Sequence, residues 1–110
     1  MSKFVATRNK GFAMTFDNNY TISVQWGTEN YCEKKHTTIH PTNPMEHKRW
    51  DSLSAEIAVF DNEEMINISS DGVDDVIGWL GRHDVAKVIA IVAKANDVDE
   101  LKLKIKKLGL

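Results

Sequence analysis

The sequence predicts an α+β domain in which an antiparallel sheet of four or five strands, formed by two hairpins, precedes two C-terminal helices packed on one face. Residues 11–27 and 55–68 alternate large apolar residues with small or polar ones, as half-buried strands do. Residues 85–92 and 98–108 instead repeat apolar residues at helical spacing. Strands followed by helices are typical of a sheet that helices cover on one side.

The first hairpin is predicted from register. Residues 3–7 are expected to form an edge strand that enters it through the turn-rich residues 8–11. A three-residue loop at 17–19 pairs Phe16 with Tyr20, whereas a two-residue loop would put the apolar sets of the two arms on opposite faces. Asn19 is then expected in the left-handed conformation. The seven large side chains predicted to share one face are Phe12, Met14, Phe16, Tyr20, Ile22, Val24 and Trp26.

The second hairpin is predicted over residues 55–60 and 65–68. A four-residue loop at 61–64 pairs Val59 with Ile66 and Ile57 with Ile68, which keeps the apolar residues on one face. Residues 76–80 are apolar and fit either a fifth strand or a buried connector, and periodicity does not separate the two.

Two helices are predicted to end the chain. His83 or Asp84 is expected to cap the first, whose apolar stripe consists of Val85, Val88, Ile89 and Val92. The second is expected to begin at Asp97 and to stop at Gly109, with lysines near its negative end. Its predicted stripe is Val98, Leu101, Ile105 and Leu108.

The amino-acid sequences of three segments resemble those of a group of small, uncharacterised accessory proteins of tailed bacteriophages. These segments are GFAMTFDNNYTISVQWGTENYC, SAEIAVFD and VIGWLGRHDVAKVIAIVAKA, which fall between Gly11 and Ala95. The group commonly has a Gly after the turn Asn, where this chain has Asn19. The resemblance implies a phage-encoded protein that acts inside a bacterium, and it carries no assigned activity.

Composition predicts one globular domain spanning residues 1–110. The chain has 110 residues, 42% of them hydrophobic and 27% charged, and a net charge of −2, so general nucleic-acid or membrane binding is not expected. The single cysteine and the absence of a signal-peptide pattern predict a reduced protein in the cytoplasm of the host bacterium. We predict no cofactor.

The long segment 28–54 is where function is expected. It contains both prolines and three of the four histidines and has no sustained period, and irregular loops of this length in small domains are often functional. One candidate is a zinc site, or a thiol enzyme, centred on Cys32, because thiolate and imidazole are preferred zinc ligands and a histidine can activate a thiol. The histidines concerned are His36, His40 and His47. The alternative interpretation is a partly buried structural cysteine among solvent-exposed histidines.

The interpretation we favour is a binding site for a planar anionic ligand, in which aromatic rings stack on a base and cations meet phosphate. Its candidate residues are Trp26, Tyr31, Lys34, Lys35, Lys48, Arg49 and Trp50. The sequence therefore predicts a non-enzymatic phage binding protein for host takeover or anti-defence, which binds a host protein or sequesters a nucleotide-like ligand through residues 28–54. The zinc or thiol enzyme is the alternative. A homodimer is compatible with the fold, because a second copy can cover a free strand edge or apolar face.

Overall fold

The computed structural model describes residues 2–6, 11–27, 32, 51–69 and 75–110. Within them the chain forms an antiparallel sheet followed by two helices, so the predicted α+β class is confirmed. The strands are β1 (Lys3–Ala6), β2 (Gly11–Thr15), β3 (Tyr20–Gln25), β4 (Ala55–Asp61), β5 (Glu64–Ile66) and β6 (Val76–Leu80), and the helices are α1 (Arg82–Lys94) and α2 (Val98–Lys107).

The sheet has the order β1-β2-β3-β4, and β5 and β6 share the far edge of β4. β5 pairs with the end of β4, from Val59 to Asp61, and β6 pairs with its beginning, from Ala55 to Ala58. Residues 76–80, for which strand and connector were both open, therefore form a strand. The described sheet has six strands, one more than the upper end of the prediction.

The first hairpin has the predicted register. Phe12 is opposite Val24, and the Phe16 amide donates to the Tyr20 carbonyl at 2.9 Å. Asn19 has a φ of 70°, so it takes the left-handed position of the three-residue turn, as predicted. All seven large apolar side chains of this hairpin are in the core or pack against it. Loop length and apolar alternation were thus sufficient to fix this register.

Gly11 is required where β2 begins. Its φ is 157°, and a Cβ built on it would lie 1.9 Å from the carbonyl oxygen of Val24 on β3. The backbones of the two strands therefore approach each other too closely for any side chain at this position.

The second hairpin has a shorter turn and a shorter second arm than predicted. Val59 pairs with Ile66, as expected, but Asp61 and Glu64 also pair, which leaves a two-residue turn with Asn62 at a φ of 58°. The predicted pairing of Ile57 with Ile68 is wrong, because β5 ends at Ile66 and Ile57 pairs with Ile77 of β6. At Ile57, β4 therefore pairs with β6, a strand from further along the chain.

A bulge interrupts β6. Two of its residues, Gly78 and Trp79, lie opposite the single residue Glu56 of β4. Trp79 has a φ of 60° and its side chain is 58% exposed. A bulky residue in this region is strained, so the pairing of β6 with β4 holds the backbone there against its local preference.

Helix α1 begins earlier than predicted. Gly81 is its N-cap and makes no side-chain capping bond, so the expected cap at His83 or Asp84 is wrong and both residues lie in the first turn. Asp84 there places an acid at the positive end of the helix. The predicted stripe is confirmed, with Val88 and Val92 fully buried.

Helix α2 agrees with the prediction at both ends. The Asp97 carboxylate accepts a hydrogen bond from the Glu100 amide at 2.7 Å, and Gly109, with a φ of 75°, follows the last turn. Leu101 and Ile105 are fully buried, while Val98 and Leu108 pack at the margin of the core. No helix in the described part of the chain is long and apolar enough to cross a membrane.

Asn18 ties the first hairpin to the end of α1. Its amide nitrogen donates to the carbonyl oxygens of Val92 and Ala95, each at 2.9 Å, and its side-chain oxygen accepts from the Tyr20 amide at 3.1 Å. The last carbonyls of a helix have no partner within the helix. One side chain in the turn therefore completes the C-terminus of α1 and fixes its position over the sheet.

Candidate functional site

An open groove lies where the sheet meets the first half of α1. It encloses about 350 Å³, near the lower end of the range for small-molecule sites. The sheet contributes Phe12, Val24 and Ala55, and the helix contributes Val85, Ala86 and Ile89. Residues 51–54, which are the described end of the predicted functional segment 28–54, form the remaining wall.

One wall of the groove is aromatic. The rings of Phe12 and Trp26 meet edge to face, with centroids 6.1 Å apart and an angle of 68° between their planes. Both rings are partly buried and pack against the core, because they end the apolar rows of β2 and β3. The sheet therefore holds two aromatic surfaces in fixed positions at the groove.

Charged and polar groups also line the groove. Arg82 begins α1 with an exposed side chain, and within the described residues no ion pair engages it. Asp51 brings a carboxylate to the same lining, so the groove is not uniformly positive. The Ser52 hydroxyl donates to the Ser54 carbonyl at 2.7 Å, which stabilises the turn of this wall. The groove can thus hold an apolar group while its charged groups meet a polar one.

Trp26 is the predicted ligand-binding residue that the structure places in this groove. The other candidates lie outside the described residues, so their inclusion in the site stays a prediction; they are Tyr31, Lys34, Lys35, Lys48, Arg49 and Trp50. The groove residues that sequence reasoning did not single out as binding residues include Phe12 and Arg82. The sequence places Phe12 only in the core, and Arg82 precedes the predicted start of the helix.

Cys32 is fully buried, and its thiol donates to the Gly27 carbonyl at a sulfur–oxygen distance of 3.5 Å. A thiol without exposed surface is not placed to attack a substrate, and this setting is that of a structural cysteine. His36, His40 and His47 lie outside the described residues. Among those that the structure describes, no three His, Cys, Asp or Glu side chains come together as a metal-binding group.

A cluster of acids surrounds Tyr20 at the opposite end of α1 from the groove. Burial raises the pKa of the Tyr20 phenol above its ordinary value, and the carboxylates of Asp61, Asp97 and Glu100 raise it further. Lys104 and Asn96 donate hydrogen bonds to Glu100 and lower the pKa of that carboxyl. The phenol is therefore held neutral beside carboxylates, which suits a structural group in the core.

Scans of the chain against family models, curated protein sequences and solved structures found no match.

Proposed function

We propose that this chain is a non-enzymatic binding protein whose groove holds a small molecule with a flat apolar part and an anionic group, as a nucleotide has. The observation that carries the proposal is the groove itself, in which Phe12 and Trp26 form an aromatic wall and Arg82 supplies a cation. Aromatic surfaces bind the face of a base, and a guanidinium pairs with phosphate in a fixed, forked geometry.

The biological setting is also a proposal. We propose a bacteriophage protein that acts in the cytoplasm of the host bacterium, in host takeover or anti-defence, by sequestering such a ligand or by binding a host protein. The resemblance of the three sequence segments supports this setting. The groove favours the small ligand over the host protein, because its volume of about 350 Å³ matches that of a small-molecule site and its lining is mostly apolar with a few polar groups.

A fluorescence titration tests the groove. Adenosine 5′-monophosphate is the probe, and the tryptophan fluorescence of the protein is the signal. We expect saturable quenching. Arg82→Ala should raise the dissociation constant at least tenfold, because a charge-assisted hydrogen bond is worth roughly 1.5–3 kcal/mol. Adenosine, which has no phosphate, is expected to bind wild type and Arg82→Ala equally.

A matched pair of helix variants tests the location. Ala86 lines the groove from an exposed position on α1, and Ala90, one turn further along, is also exposed but is not part of the lining. Ala86→Phe is expected to abolish nucleotide binding by filling the groove, while Ala90→Phe leaves binding unchanged. Binding that survives Ala86→Phe, or an absence of binding in the wild type, would contradict the proposal.

A further inference from the structure

The first strand of the sheet is an edge strand. Among the described residues, β1 pairs only with β2, and all four of its residues are exposed. Phe4 is 82% exposed and Val5 40% exposed. Edge strands are usually protected by charges, by proline or by a bulge, and β1 has a single lysine and no proline.

The hydrogen bonds of the first hairpin determine which backbone groups of β1 face outward. The Phe16 amide bonds to Tyr20, so Met14 and Phe12, two and four residues earlier, also direct their backbone groups toward β3. The residues between them, Ala13 and Thr15, therefore bond to β1. Their partners are Val5 and Lys3, which leaves the N–H and C=O groups of Phe4 and Ala6 directed away from the sheet.

On the face of the sheet that the helices cover, β1 carries one large side chain, Phe4, and one small one, Ala6. Phe4 lies opposite Met14, and Ala6 lies opposite Phe12, which lines the groove. Because the Ala6 side chain is small, it leaves a depression, which we call the step, on the sheet surface between Phe12 and the edge of the sheet. The large, exposed Phe4 ring is of a size to fill such a step on another copy of the same strand.

We propose that β1 pairs antiparallel with β1 of a second copy of this chain, about a twofold axis at Val5. The outward N–H and C=O groups of Phe4 then form hydrogen bonds with those of Ala6 of the partner subunit, and the twofold axis repeats this pair with the roles exchanged. The partner subunit's Phe4 packs against Ala6, beside Phe12 and next to the groove. The two sheets become one continuous sheet across the interface.

Charge favours this register over the neighbouring one. An axis at Val5 offsets the two Lys3 residues by four positions, or about 13 Å along the strands. An axis at Phe4 offsets them by two positions, about 7 Å, which is within the roughly 8 Å screening length at physiological salt. It also leaves the step at Ala6 unfilled. The axis at Val5 thus both separates the like charges and pairs the large side chain with the small one.

The size of the interface predicts a weak, reversible dimer. Each Phe4 ring can bury at most about 150–250 Å², and the strands contribute four residues each. The total is below the roughly 1,200 Å² typical of stable complexes, so we expect a weak dimer that dissociates on dilution.

Cross-linking tests the register. Residues opposite each other in a non-hydrogen-bonded pair have Cα atoms about 4.5 Å apart, which a disulfide can bridge. We expect Val5→Cys to form a covalent dimer under mild oxidation at least tenfold faster than Lys3→Cys or Leu103→Cys, which are exposed but not opposite their own copies. Wild type gives the background, because Cys32 is fully buried. Equal rates for all three variants, or faster linking by Phe4→Cys, would overturn the register.

Sedimentation equilibrium tests the interface without a cross-link. Phe4→Asp and Ala6→Phe are expected to weaken dimerisation at least tenfold without lowering the melting temperature, because both positions are exposed in the monomer. Leu103→Asp, on the exposed face of α2, is the control and should dimerise like wild type. A wild type that stays monomeric at 100 µM, or a Phe4→Asp variant that dimerises normally, would refute the second copy as the partner of β1.

Discussion

The contact between Asn18 and the end of α1 should contribute a large share of the stability. Asn18→Ala removes three hydrogen bonds of ordinary length, two from its amide nitrogen to Val92 and Ala95 at 2.9 Å and one to its oxygen from the Tyr20 amide at 3.1 Å. It also removes a longer one, from the same amide nitrogen to the Ala93 carbonyl at 3.4 Å. Each bond of ordinary length is worth about 1 kcal/mol net, so the loss should be about 3 kcal/mol. The free energy of unfolding of a small domain is typically only 5–15 kcal/mol.

Urea unfolding followed by circular dichroism measures this loss. A second variant, Asn18→Asp, keeps the acceptor for Tyr20 but replaces both donors with a carboxylate at the negative end of the helix, so it should be at least as destabilised as Asn18→Ala. Asn96→Ala is the control, because the side chain of Asn96 is exposed and donates a hydrogen bond to the Glu100 carboxylate at 3.1 Å. It should lose less than about 0.5 kcal/mol.

The result that would refute this reasoning is a loss below about 0.5 kcal/mol in Asn18→Ala, or an Asn18→Asp variant as stable as wild type. Either would mean that water satisfies the helix carbonyls as well as the asparagine does, and that α1 is positioned by its apolar face alone.

Three further predictions concern stability. Gly11→Ala should cost about 2–4 kcal/mol in urea unfolding, because its Cβ would meet the Val24 carbonyl, and a cost below 1 kcal/mol would mean that β2 and β3 separate easily. Trp79→Gly should raise the free energy of unfolding by about 1 kcal/mol by relieving a left-handed backbone, and a loss of stability would show that the exposed ring contributes more than the strain costs. Tyr20 has a raised pKa in the folded state, so its contribution is complete below pH 10, the pKa of an ordinary tyrosine, and is lost as pH rises from there through the folded pKa. Thermal melts should therefore show a steeper alkaline fall in wild type than in Tyr20→Phe, and identical curves would contradict the assignment.

Local rules were sufficient for the elements whose partners are close in sequence. The first hairpin follows from the parity of its apolar residues and the length of its loop, and α2 follows from a capping aspartate and a terminal glycine. In both cases the residues that determine the structure lie within about fifteen positions of one another, so the sequence alone predicts the contact.

The errors arose where distant segments compete. The sequence predicts that Ile57 pairs with Ile68, but Ile57 pairs with Ile77, twenty positions away. The sequence predicts that α1 starts at a polar cap, whereas Gly81, directly after β6, begins the helix without a capping side chain. No local signal distinguishes these outcomes, since both depend on β6 joining the edge of β4.

The groove was only partly predictable for the same reason. Trp26 was recognised as an aromatic residue next to the long segment 28–54, and the end of that segment does form one wall. Arg82 comes to the groove because α1 returns across the sheet over β3 and β4, which a linear sequence does not display. A binding site assembled from three separate segments becomes visible only once the topology is known.

Nuclear magnetic resonance with ¹⁵N-labelled protein and adenosine 5′-monophosphate tests the central claim most directly. The groove predicts saturable shifts of the amide resonances of Trp26, Leu53 and Ala86, with Leu103 on the far helix unaffected. Shifts centred elsewhere, or none at millimolar nucleotide, would contradict the assignment of this groove as the ligand site.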